Sequence, residues 1–221
     1  MRARLALAIS ATPFELREVK LSAKPEAMLA ASPKATVPVL VLPEGKVIDQ
    51  SIDIMHWALA RHDPEGWLDR DDPALIVAND GPFKYALDRY KYPERHGSNA
   101  ETHRMSGLAF LQQIEDRLSK AANLGGATPG LADAAIIPFV RQFAAVDPGW
   151  FAEQQLVRLK GWLSGYLCSD LFGAIMLRAP TWSPLDAPII VDWGRGMEHI
   201  LPEESVHPLV DLGNQTADLA L

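Results

Sequence analysis

The residues best placed to do chemistry lie in one run, Thr36 to Ser51, TVPVLVLPEGKVIDQS. A Val-Pro step leads into the apolar residues Val39, Leu40, Val41 and Leu42. Proline cannot donate to a sheet ladder, so Pro38 marks an edge or the start of a strand. A cis bond between Val37 and Pro38 would turn the N–H and C=O of Val37 toward an extended, peptide-like ligand. Beyond the turn Pro43-Glu44-Gly45-Lys46, Gln50 and Ser51 open a helix whose free N–H groups attract a carboxylate. One reading of the run is a cradle for a small acidic peptide. The other is a strand with a structural proline followed by an ordinary capping serine.

Other chemistries find less support. The single cysteine, Cys168, excludes an internal disulfide and points to a reducing compartment. It follows Tyr166 and Leu167 near the end of an apolar helical stretch, where a buried, inert thiol is the usual finding. His56, His62, His96, His103, His199 and His207 form no metal-binding spacing, so no metal is expected. No glycine-rich phosphate loop follows a strand, so no nucleotide is expected either.

The elements that must hold the run follow from its surroundings. A chain of 221 residues, 48% hydrophobic and 22% charged, reads as ordinary globular material. Its formal charge of −7 opposes nucleic acid, and no apolar run is long enough for a membrane span. Two arginines precede a short apolar stretch in MRARLALAIS, but the stretch is too brief for a secretory leader. It reads as a helix with Leu5, Ala8 and Ile9 on the packing face and Arg2 and Arg4 off it. A strand over Phe14 to Val19, a helix over Lys24 to Ala31, strands over Val37 to Leu42 and Lys46 to Ile48, and a helix from Ser51 to about His62 follow.

The segment Asp63 to Pro73 is rich in Pro, Gly and Asp and reads as a linker. Helices are then expected over Ala74 to Tyr90, Asn99 to Ala122, Leu131 to Ala145, Trp150 to Leu167 and Ser169 to Leu177. In the second of these, Met105, Leu108, Leu111, Ile114 and Leu118 form one stripe. The fold class is thus α/β followed by all-α, a helical bundle behind a small α/β domain.

At this point the order TVPVLVLPEGKVIDQSIDIMHWAL, the linker and the later GLADAAIIPFVRQF resemble the cytosolic glutathione S-transferase family, in its bacterial, cysteine-type, omega-like form. The resemblance implies a thioredoxin-like glutathione-binding domain over 1–66, an all-helical C-terminal domain over 67–183, and an irregular tail over 184–221 without a counterpart. It implies glutathione as cosubstrate, a small electrophile or disulfide as second substrate, a cytoplasmic setting and a possible homodimer. Val37 would hold the cysteinyl backbone of glutathione beside cis-Pro38, and Gln50 and Ser51 its γ-glutamyl carboxylate. Lys24, in a KPE motif, would face the glycine carboxylate or else stand as a solvated lysine at a helix start. Phe83, Tyr85, Arg89 and Tyr90, with Tyr92, are the candidates for a second-substrate cleft between domains, against an alternative as helix-packing residues.

The departures fall at the amino end. Related cysteine-type sequences carry a strand and a Cys-Pro-Tyr-like turn ahead of a helix of the form R-A-R-L-A-L, and this chain begins at Met1 inside that turn. The first strand and the catalytic cysteine are therefore expected upstream of Met1, in a longer reading frame, with Ser10 and Tyr166 unable to replace the thiol. Loss of that strand would leave two open strand edges or force the neighbours to re-pair. A non-catalytic binding module is the alternative function. At Gly130-Leu131-Ala132-Asp133 the side-chain hydroxyl of a capping box is missing, so a slightly weaker cap is expected.

Overall fold

The computed structural model describes residues 1–195. In order they form α1 (Arg2–Ile9), β1 (Phe14–Leu16), α2 (Glu26–Ala31), β2 (Leu40–Val41), β3 (Val47–Ile48), α3 (Ser51–Arg61), α4 (Pro73–Ala78), α5 (Lys84–Lys91), α6 (Pro93–His96), α7 (Ala100–Leu118), α8 (Leu131–Val146), α9 (Pro148–Glu153), α10 (Val157–Leu167), α11 (Asp170–Ile175) and β4 (Ile189–Val191). Contacts divide them into two units. Met1, residues 3–62 and residues from Ala174 onward make the first, and Arg2 with Asp63–Gly173 the second.

In the first unit the strands are shorter than their apolar runs. Among the described residues they form two separate antiparallel pairs, β1 with β4 and β2 with β3. Leu40 lies opposite Ile48 and Val41 opposite Val47. Phe14 lies opposite Val191, Glu15 opposite Ile190 and Leu16 opposite Ile189. β4 comes from the stretch expected to be irregular. Its Ile-Ile-Val run is a β-branched segment that β1 accepts as a partner, and Trp193 packs on Phe14 with ring centroids 5.4 Å apart. The tail residues 196–221 lie outside the described residues.

Helix α1 forms as expected, but its polar face does not reach solvent. Arg2 and Arg4 are buried along with Leu5, Ala6 and Leu7. Each arginine is held by oxygen acceptors, as a buried cation must be. Arg4 donates to the carbonyls of Ile175 (3.1 Å) and Leu177 (2.7 Å) and to Glu18 (2.9 Å). Burial lowers its pKa while Glu18 opposes the shift. Arg2 donates to Asp80 through both terminal nitrogens and stands 4.5 Å from the Phe139 ring.

The second unit is helical, and its entry is a tied loop. Asp63 accepts from the N–H groups of Trp67 and Leu68, both at 2.8 Å, and Trp67 is fully buried. The expected helix over 74–90 is interrupted by a π-helical turn over Asn79–Phe83 containing Pro82, whose missing N–H displaces the ordinary ladder. The expected helix over 150–167 is likewise two, α9 and α10. On α7, Leu108, Leu111, Ile114 and Leu118 face the core as expected, but Met105 is half exposed, so the stripe starts one turn later. Gly107 admits Phe143 where a Cβ would lie 2.3 Å from the ring.

The start of α8 shows why Gly130 stands there. The Asp133 carboxylate reaches back to the Gly130 N–H at 3.0 Å, half of a capping box. A Cβ on residue 130 would come within 2.5 Å of the Arg70 Cβ and 2.6 Å of its carbonyl oxygen. Close approach of Arg70, rather than a tolerated loss of capping, accounts for the glycine. Asp133 is wholly buried and also accepts from Leu124 N, Gly125 N and Trp162 Nε1. Burial raises its pKa against the pull of these donors.

Candidate functional site

The β2–β3 hairpin positions the candidate residues. Leu42 N donates to Lys46 O at 2.8 Å, so alternation along the ladder makes Leu40–Ile48 the next hydrogen-bonded pair. The N–H and C=O of Val39 and Val41 therefore face the edge away from β3. The pairing ends at Leu40–Ile48, with Val37 and Pro38 just ahead of β2 and Gln50 and Ser51 just after β3. The Val37–Pro38 bond is cis.

Helix α3 begins at Ser51, with Gln50 as an extended N-cap whose side chain makes no cap bond. The first backbone bond of the helix is Ile54 N to Gln50 O. The N–H groups of Ser51, Ile52 and Asp53 thus have no backbone partner among the described residues, as the geometry of any helix start dictates. Gln50 is exposed and Ser51 half-buried. Residues Val37, Pro38, Gln50 and Ser51 are accordingly brought to one end of the hairpin.

Just before the helix, Asp49 accepts from Ser32 Oγ (3.1 Å) and Lys34 Nζ (3.0 Å). The Lys34 bond holds the Asp49 carboxyl below its usual range. This tie between the end of α2 and the hairpin had no spacing signal in the sequence. Lys24 is half-buried immediately ahead of Pro25, the N-cap of α2, and makes no hydrogen bond or ion pair among the described residues. The helix it was expected to open begins two residues later.

The second-substrate candidates separate. Phe83 stacks on Phe110 at 4.5 Å and approaches Phe143 at 5.6 Å, and Tyr90 packs on Phe143 at 5.1 Å. Both rings are buried in the helical core, so packing accounts for them. Tyr85 is exposed, with the Arg89 guanidinium over its ring at 3.4 Å and His103 edge-on at 5.8 Å. The Ser10 hydroxyl is buried against Leu7 O and Thr12 Oγ1. The Tyr166 phenol is also buried, and burial pushes its pKa up. Neither is a free nucleophile, and Cys168, expected to be buried, is instead exposed at the end of α10. Among the described residues no His, Cys, Asp and Glu group could hold a metal, and no helix is long and apolar enough to cross a membrane.

The geometry can be set beside known proteins. Residues 1–61 match the family model described as glutathione S-transferase, N-terminal domain, and residues 65–165 match its C-terminal domain. Glutathione S-transferase U28 of Arabidopsis thaliana is 25% identical over 154 residues, covering 66% of this chain and 69% of that protein. A glutathione S-transferase from Rhodospirillum rubrum has a similar solved structure, with TM-score 0.64, 20% identity, and 83% and 90% of the two chains covered. A glutathione S-transferase domain-containing protein from Marinobacter aquaeolei gives TM-score 0.61 and 19% identity, with 77% and 93% covered. The fold is that architecture: a small thioredoxin-like domain with few strands, then a mostly helical domain.

Proposed function

The chain belongs to the glutathione S-transferase family, and from that premise we propose that its first unit binds glutathione at the end of the β2–β3 hairpin. Family membership supports glutathione binding and transfer in general; the residues proposed here give that a place. The observation that supports the reading is a cis Val37–Pro38 bond just ahead of β2 together with a helix that starts at Ser51 just after β3. A tripeptide with two carboxylates needs an open main-chain edge, a positive helix end and a cation. Val37 offers the edge beside Pro38, and Gln50 and Ser51 with the N–H groups of α3 receive the γ-glutamyl carboxylate. Lys24, which has no partner among the described residues, supplies the cation for the glycine carboxylate.

The reaction served is transfer of glutathione to a small electrophile or reduction of a mixed disulfide. A second reading is binding without activation of the glutathione thiol. Titration calorimetry with glutathione tests the site. Losing a charge-assisted hydrogen bond costs about 1.5–3 kcal/mol, so Ser51→Ala is expected to weaken binding about tenfold or more. Unchanged affinity in Ser51→Ala and Lys24→Ala would overturn the assignment. Parallel assays with an electrophile and with a glutathione mixed disulfide separate the two readings: turnover supports the first, binding alone the second.

A further inference from the structure

The chain after α11 returns to β1 and lies along it as a strap within the first unit. β4 pairs with β1, and ahead of it Trp182 N donates to Glu18 O at 2.8 Å while Glu18 and Thr181 form an isolated parallel bridge. The Arg17 guanidinium stands 4.7 Å from the Trp182 ring. Glu18 is held by its side chain as well. Buried Arg4 donates to its carboxylate at 2.9 Å and to the carbonyls of Ile175 and Leu177, where the strap leaves α11. Residues 19–24 then lead to Lys24. Among the described residues their main chain bonds only within the segment, Ala23 N to Lys20 O at 2.9 Å, and residues 20–23 are exposed. The helix that follows, α2, buries none of its residues. Glu18, bound to the strap, is therefore the firmest anchor of the segment that carries Lys24.

We propose that the strap positions Lys24 for the glycine carboxylate of glutathione, with Trp182 as the positioning residue, a role that rests on the reading of Lys24 given above. Trp182 touches no ligand in this scheme. Its main-chain N–H and its ring act through Glu18 and Arg17. A group that grips a ligand does so at full strength only when neighbouring bonds already fix it. With the strap attached, the segment from Glu18 to Lys24 is tethered before glutathione arrives. With the strap loosened, the segment must be ordered on binding, and that cost falls on the glycine end of the ligand alone. The γ-glutamyl end, received at Gln50, Ser51 and the start of α3, is built from the β2–β3 hairpin and does not share the tether. The strap thus sets how strongly the glycine carboxylate counts.

Titration calorimetry of the full chain compares glutathione with its glycinamide analogue, which lacks only the charge that Lys24 meets. The readout is the preference for glutathione, expected at about tenfold or more in the wild type and lost in Lys24→Ala. Trp182→Pro removes both the N–H that binds Glu18 and the ring under Arg17. It is expected to cut the preference about threefold or more, to leave binding of the analogue unchanged, and to add nothing in the Lys24→Ala background. Trp182→Phe keeps donor and ring and is expected to restore the preference. A wild-type preference in Trp182→Pro, equal weakening of both ligands, or no recovery in Trp182→Phe would each overturn the role of the strap while leaving Lys24 in place. A wild type without preference, or a preference that survives Lys24→Ala, would overturn the reading of Lys24 and the strap's role with it. Should circular dichroism show Trp182→Pro unfolded, Arg17→Gln takes the cation off the ring by changing a half-exposed side chain. It is expected to lower the preference about twofold or more, and an unchanged preference there would equally overturn the proposal.

Discussion

Replacing Asp133 by Asn tests how the start of α8 is held. Its Oδ1 accepts from Leu124 N (2.8 Å) and Trp162 Nε1 (2.9 Å), and Oδ2 from Gly125 N and Gly130 N (both 3.0 Å). An amide has one accepting oxygen, so in either orientation its NH₂ meets two N–H donors and leaves both without an acceptor. The site is wholly buried, so water does not replace the loss. At about 1–3 kcal/mol for each stranded donor, Asp133→Asn is expected to cost about 2–6 kcal/mol. That is a large part of the roughly 5–15 kcal/mol that holds an ordinary domain folded. Urea unfolding followed by tryptophan fluorescence and circular dichroism reads it. Trp162→Phe removes one donor together with its demand, so it should cost less alone and recover about 1 kcal/mol in the Asp133→Asn background. A loss below about 1 kcal/mol for Asp133→Asn would refute the four-donor account.

Gly130→Ala should destabilise by about 1–3 kcal/mol, because the new methyl meets the Arg70 backbone, which cannot rotate away; a wild-type unfolding midpoint would contradict this. Asp72 caps α4 through Leu75 N (2.9 Å) and pairs with Arg117, which together hold its carboxyl below the usual range although burial opposes them. A depressed folded value means its contribution is present above the unfolded value of about 3.9 and is lost as pH falls through the lower folded one. The stability gap between wild type and Asp72→Asn should therefore be steady at neutral pH and shrink under acid, as denaturant midpoints across pH would show. A gap that widens toward low pH would reverse the sign.

Much of the architecture was legible because periodicity speaks for amphipathic helices. The α/β order up to Arg61, the long helix α7 and the body of α8 all followed from apolar spacing. What escaped depended on partners distant in sequence. Arg2 and Arg4 read as lying off the packing face, since nothing local announces that Ile175, Leu177, Glu18 and Asp80 will receive them. Ile189–Val191 was passed over amid prolines, although its β-branched run is a strand signal that β1 uses. Gly130 read as a weakened cap because the approach of Arg70 is invisible from four residues of sequence. Aromatic spacing alone could not tell Phe83 and Tyr90, which pack the core, from the exposed Tyr85.

Val37 and Pro38 stand just ahead of β2 and Gln50 and Ser51 just after β3, at the open end of one hairpin, and their part in glutathione binding is the account's central claim. The most direct test is an amide-resolved NMR titration of the full chain with glutathione. Saturable shifts centred on Val37 and on Ser51, Ile52 and Asp53 are expected. Absence of saturation up to about 10 mM, an affinity weaker than about 3 kcal/mol, or shifts confined to other residues would contradict the account.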